Sequence, residues 1–165
     1  LVDVEARRGR SRHQSSTRPP AASTFCRAEA DTGIPFTVTA RATAVAEHLR
    51  LNTSEGDGVY IWGYETLVYY LAQRRCPSRF IHNLPLRCAW IAGRFGEDLL
   101  TCCEARPKYI LVLLNDPAWW ATGSREDSLR ALRRYPRIER LIAERYAPKG
   151  RIEDFLFFAL RGPGA

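Results

Sequence analysis

The sequence contains no Met, only two Lys (Lys108 and Lys149) and three His (His13, His48 and His82). The missing Met, absent even at position 1, leads us to expect a fragment, a processed form or a trimmed chain. With three His and no CxxC pair, a zinc site of standard spacing is not expected. No apolar run approaches the roughly 20 residues that cross a bilayer as a helix. The longest, Tyr109 to Leu114, has the length of a strand. No signal-peptide pattern opens the chain. GxGxxG, a Walker lysine and a GxSxG elbow are also absent. These absences exclude a membrane span within these residues, a collagen-like rod, and the usual dinucleotide, nucleotide and serine-hydrolase signatures.

What is there is ordinary in bulk and unusual in charge. The chain has 165 residues and 18.8 kDa, 45% hydrophobic and 26% charged, which suits one domain or one domain with a tail. Of 25 basic residues 23 are Arg, and the formal charge is +7. That charge fits attraction to phosphate, or an Arg-rich codon usage together with a basic tail. No compact basic run appears, which favours the second and argues against a specific nucleic-acid partner. The five cysteines, Cys26, Cys76, Cys88, Cys102 and Cys103, are odd in number and form no framework. Cys102 and Cys103 read as buried thiols, and a Cys76–Cys88 disulfide stays open.

Residues 1–39 read as a basic, poorly ordered tail and lead-in, with Arg7, Arg8, Arg10, Arg12 and Arg18 among Ser, Gln and Pro. Residues 40–165 read as a single domain. Apolar periodicity predicts helices over 41–51, 64–75, 90–105, 125–134 and 136–146. Ser124 is the expected cap of the fourth, and Pro136 the first residue of the fifth. Strands are predicted over 59–62, 79–82, 108–114 and 152–160, with 148–150 as a turn. The alternation implies an α/β domain, small, Rossmann-like and three-layered. Its sheet is expected to be mostly parallel, the last strand fitting an antiparallel edge.

Ligands of open α/β sheets bind beyond the carboxyl ends of the strands. Two loops lie there, Trp62-Gly63-Tyr64-Glu65 and Asn115-Asp116-Pro117-Ala118-Trp119-Trp120. Each joins aromatic rings, which stack on sugar faces, to a carboxylate that accepts from sugar hydroxyls. The candidate ligand residues are therefore Trp62, Tyr64, Glu65, Asn115, Asp116 and Trp119. The plainer reading makes Gly63 a tight turn, Glu65 a first-turn acid and the tryptophans rim packing. Arg75 and Arg79, with Arg74, form a basic cluster suited to phosphate or to a helix carboxyl terminus. The adjacent pairs Glu97-Asp98 and Glu126-Asp127 point apart on a helix and suit solvated faces better than acid/base work. No His stands beside a nucleophile, and neither a metal nor a cofactor is expected.

Several segments together resemble a known family. They are Asn52-Thr53, Trp62-Gly63, Arg74-Arg75, Ser78-Arg79-Phe80, Arg106-Pro107-Lys108-Tyr109-Ile110 before a strand, and Tyr135-Pro136 before a helix ending at Tyr146. Over roughly residues 40–161 the pattern resembles the soluble carboxyl-terminal domain of polytopic membrane glycosyltransferases. These belong to the superfamily of dolichyl-phosphate-mannose protein mannosyltransferases and aminoarabinose transferases. The resemblance implies an extracytoplasmic domain without the catalytic carboxylate, which in such enzymes lies in a loop between membrane spans. It implies, as partners, the membrane-spanning part of the same enzyme and a glycan or polyprenyl-phosphate-sugar. The polar segment 1–39 departs from the family, where a span precedes the first helix. A free-standing α/β module for a sugar or phosphorylated ligand is the alternative, and it would be cytoplasmic.

Overall fold

The computed structural model describes residues 36–92, 95, 101 and 103–162. Helix α1 (Phe36–Asn52) begins ahead of the expected Arg41. Its Ala42, Val45, Ala46 and Leu49 repeat at helical spacing and are buried. The turn Ser54–Asp57 follows, with Asp57 accepting from the Ser54 N–H at 2.7 Å. Strand β1 (Val59–Trp62) then leads to α2 (Leu67–Ala72) and the single turn α3 (Leu84–Arg87). Strand β2 (Tyr109–Leu113) is followed by the short helices α4 (Trp119–Thr122) and α5 (Ser128–Leu132). Helix α6 (Pro136–Arg145) feeds a hairpin of β3 (Tyr146–Ile152) and β4 (Phe155–Leu160).

The four strands form one sheet in the order β1-β2-β4-β3. β1 and β2 are parallel, pairing Val59 with Tyr109 and Trp62 with Val112. β4 runs antiparallel to both β2 and β3. The expectation of a mostly parallel sheet is therefore corrected to a mixed one. β4 is inner, and the antiparallel edge is β3. β3 was missed because an edge strand exposed to water needs no apolar alternation. It carries Pro148, Lys149 and Arg151 and is irregular between Pro148 and Gly150, features that blunt an edge.

Helices cover both faces, so every residue of β1 and β2 is buried. On one face Val59 and Ile61, Leu111 and Leu113, and Phe155 and Phe157 pack against α1 and α2. On the other, Tyr60, Trp62, Ile110 and Val112 meet Leu132, Ile138 and Ile142 of α5 and α6. Each large side chain so buried stabilises the fold by roughly 1.5–3 kcal/mol. Gly63 ends β1 for a packing reason, because a Cβ there would lie 2.5 Å from the Leu113 Cβ.

Two further expectations change. Residues 79–82 are bends rather than a strand. The free edge of β1 is already occupied: Val59 N–H donates to the Arg75 carbonyl and Ile61 N–H to the Tyr69 hydroxyl. Asp127, not Ser124, caps α5, accepting from Arg130 N–H at 2.9 Å. Half of the helix expected over 90–105 lies outside the described residues, and Trp90 and Ile91 form a turn. Ala92, Phe95, Thr101, Cys103 and Glu104 within it are helical. Cys76, Cys88 and Cys103 are thiols, so the Cys76–Cys88 pair is not joined. Cys26 and Cys102 lie outside the described residues. No described helix is long and apolar enough to cross a membrane.

Candidate functional site

Parallel pairing puts the carboxyl ends of β1 and β2 side by side, and the two loops named from the sequence leave from there. Three groups of side chains assemble around them.

The first is an aromatic ledge. Tyr64 lies edge-on to Trp120, with centroids 5.7 Å apart, and to His82 at 5.6 Å. Tyr64, Trp119 and Trp120 are exposed, at 45%, 64% and 62%. One-turn α4 carries both tryptophans and ends at Gly123, whose φ of 67° suits the left-handed cap. Burial of its ring lowers the His82 pKa from its ordinary value.

The second is an ionic cluster. Arg41 of α1 reaches Asp154 of the β3–β4 turn at 2.8 Å and Glu65 at 3.8 Å. Asn115 donates its amide to Asp154 at 3.3 Å. Burial raises the Glu65 carboxyl above its ordinary value, against the opposing pull of Arg41 and the Leu67 N–H. Asp154 is held low, its bonds to Asn115 and Arg41 outweighing desolvation.

The third is a buried clamp. Asp116 accepts from the Ser128 N–H at 2.7 Å and the Ser128 hydroxyl at 2.6 Å, and pairs with Arg87 at 3.3 Å. Arg87 also donates to the Asp116 and Glu126 carbonyls. Asn83 donates to Ser128 Oγ at 2.8 Å, and the Trp62 indole N–H donates to the Ser128 carbonyl at 2.7 Å. Burial raises the Asp116 carboxyl, while Ser128 and then Arg87 pull it down.

The sequence-derived site residues thus divide. Tyr64 and Trp119 present rings to solvent. Glu65 and Asn115 belong to the ionic cluster beside them. Trp62 is buried in the core and presents no face to a ligand. Asp116 turns inward, because Ser128 and Arg87 occupy its carboxylate. Arg75 lies at the opposite end of β1, bridging to Gly58, on a groove of about 450 Å³ with Tyr69, Tyr70 and Arg74. Arg79 sits over the rings of Phe80 and Phe95, at 4.8 and 5.5 Å to their centroids. Arg74 completes neighbouring helix ends, donating to carbonyls of Ala72, Gln73 and Thr53. Arg74 and Arg75 thus share one groove, while Arg79 is engaged with aromatic rings.

His82, Trp120, Arg41 and Asp154 were not singled out from the sequence. Trp120 shared its loop with Trp119 and was within reach. Arg41 and Asp154 are 113 residues apart, and only the packing of α1 over the hairpin unites them. Among the described residues no group of His, Cys, Asp and Glu suits a metal ion.

No family model, curated protein or solved structure matches the chain.

Proposed function

We propose that this chain is a non-catalytic glycan-binding domain, the extracytoplasmic accessory part of a membrane glycosyltransferase that uses a lipid-linked sugar donor. The observation that carries the reading is the exposed ledge of Tyr64, Trp119 and Trp120 at the carboxyl ends of the parallel strands. Exposed rings with polar edges suit the apolar faces of pyranose rings. Glu65, Asn115 and Asp154 supply acceptors and an amide for hydroxyls nearby. The sequence resemblance supplies the context of donor and membrane. In this reading the β1–α2–β2 unit is a Rossmann-like remnant, and the terminal hairpin completes its sheet.

The test is calorimetric or NMR titration of the chain with short oligosaccharides. Binding is expected for wild type, with at least about tenfold loss in Tyr64→Ala and Trp120→Ala, the scale of removing one buried aromatic face. Both are surface positions, so unfolding stability should stay within about 0.5 kcal/mol of wild type. Absence of binding to every sugar tried, or equal affinity in both variants, would overturn the reading.

A further inference from the structure

The ladder between β1 and β2 stops at Trp62 and Val112, short of the two loops that carry Tyr64 and Trp120. The two rings nevertheless stand 5.7 Å apart. A path of side chains crosses the gap on the α1 side. Glu65, next to Tyr64, lies 3.8 Å from one terminal nitrogen of Arg41. The other terminal nitrogen donates to the Asp154 carboxylate at 2.8 Å. Asp154 in turn accepts from the Asn115 amide at 3.3 Å, and its carbonyl takes the Leu114 N–H at 2.8 Å. The exit of the second loop is thereby fixed to the β3–β4 turn and, through Arg41, to the first loop.

This path is held at a cost. Four non-glycine residues among those described have left-handed φ. Two of them, Asn115 at 54° and Glu153 at 49°, are the amide partner and the chain neighbour of Asp154. Arg41 Nε is buried and has no acceptor. A left-handed residue with a Cβ and a buried donor without an acceptor each cost free energy, and such costs gather where geometry serves function. The guanidinium is oriented by the two carboxylates it spans, not by saturation of its own donors. The side chains of Glu65, Arg41 and Asp154 are only 13%, 26% and 25% exposed, so water screens them less than a pair on open surface.

We propose that Arg41 is a positioning residue of the site, holding the two loops at the separation that keeps Tyr64 against Trp120 without itself touching the ligand. The inference rests on the glycan reading for what the ledge binds. A ledge whose rings are already in place binds more tightly, because they need no ordering on contact with the ligand. A second tether, the buried clamp of Asp116, Arg87 and Ser128, anchors the Trp120 loop from the α5 side. That clamp belongs to the folded core. Arg41 reaches in from α1 near the surface, so it can be changed without opening the core.

The experiment compares wild type, Arg41→Met and Arg41→Lys. NMR reads the Tyr64–Trp120 ring cross-peaks in the absence of sugar, and titration with short oligosaccharides reads affinity. Arg41→Met should lose the cross-peaks and weaken sugar binding about tenfold, the scale of ordering one or two side chains on binding. Its melting temperature should fall by only a few degrees, since the ion pairs are partly exposed. Arg41→Lys keeps the charge but not the fork that spans two carboxylates, so it should lose part of both signals. Weaker sugar binding with the cross-peaks intact would overturn the positioning and place Arg41 on the sugar itself. Unchanged affinity in Arg41→Met, with or without the cross-peaks, would overturn it too. If Arg41→Met does not fold, Arg41→Lys decides: a loss in both signals supports the positioning, and wild-type values overturn it. Loss of the cross-peaks in a protein whose wild type binds no sugar supports the positioning and sinks the glycan reading. Sugar binding that Arg41→Met leaves intact does the reverse.

Discussion

Ser128 has no accessible surface, yet polar groups of four residues, Trp62, Asn83, Arg87 and Asp116, meet on it. Asp116 and Arg87 face each other across it, with side chains 11% and 2% exposed. Removing one partner of a buried pair leaves the other charge without compensation. Asp116→Ala should therefore cost about 3 to 5 kcal/mol of unfolding free energy, read by urea titration. A cost below about 1 kcal/mol would mean that water reaches Arg87 and the clamp is not structural. The sequence pointed to Asp116 correctly as a residue at the end of a strand. It did not show which way the carboxylate turns, because Arg87 and Ser128 come from helices on either side of it in sequence. The same holds for Trp62. Its place at the strand end was legible, but its burial depended on α5 and Tyr135 packing over it.

At the level of elements, the strongest apolar runs were read correctly. β1 (Val-Tyr-Ile-Trp) and β2 (Tyr-Ile-Leu-Val-Leu) are aliphatic or aromatic throughout because both faces are covered, and nothing in their surroundings competes with that signal. Elements whose identity rests on position were not legible. β3 is polar and holds Pro148, and residues 79–82 contain an apolar pair with no free sheet edge to join. Two tests belong here. Gly63→Ala should destabilise by about 1 to 3 kcal/mol through its overlap with Leu113, forcing β1 and β2 apart at the loops. Wild-type stability in this variant would show that the strand ends can separate freely. Asp127→Ala should cost about 1 kcal/mol by removing the acceptor for the Arg130 N–H at the start of α5. The corresponding loss is not expected for Ser124→Ala, which separates the two candidate caps in one thermal-melt comparison.

For the molecule as a whole, carboxyl groups on opposite sides of their ordinary pKa shape the acid response. Asp57 is lowered to about 2, chiefly by the Ser54 N–H and then by Lys108. Its contribution is complete above the ordinary carboxylate value of 3.8 and disappears as pH falls through about 2. Glu65 and Asp116, raised by burial, act in the other sense, stabilising less as pH rises through their range. Stability measured from pH 5 downward should thus fall most steeply between about 4 and 2, and Asp57→Asn should flatten that decline. An unchanged slope in Asp57→Asn would remove Asp57 from the acid limb.

The sheet order has a consequence for how the chain is made. The ribosome delivers α1, β1, α2 and β2 first, yet the strand that seals β2 is β4, the last element described. Until Phe155 to Leu160 emerges, the hydrogen-bonding groups along one side of β2 have no strand to meet. The nascent chain therefore presents an open Ile-Leu-Val-Leu ribbon throughout the synthesis of α4, α5, α6 and β3. Acquisition of the sheet is a late and collective event, and that ribbon is the segment a ribosome-associated chaperone would be expected to hold.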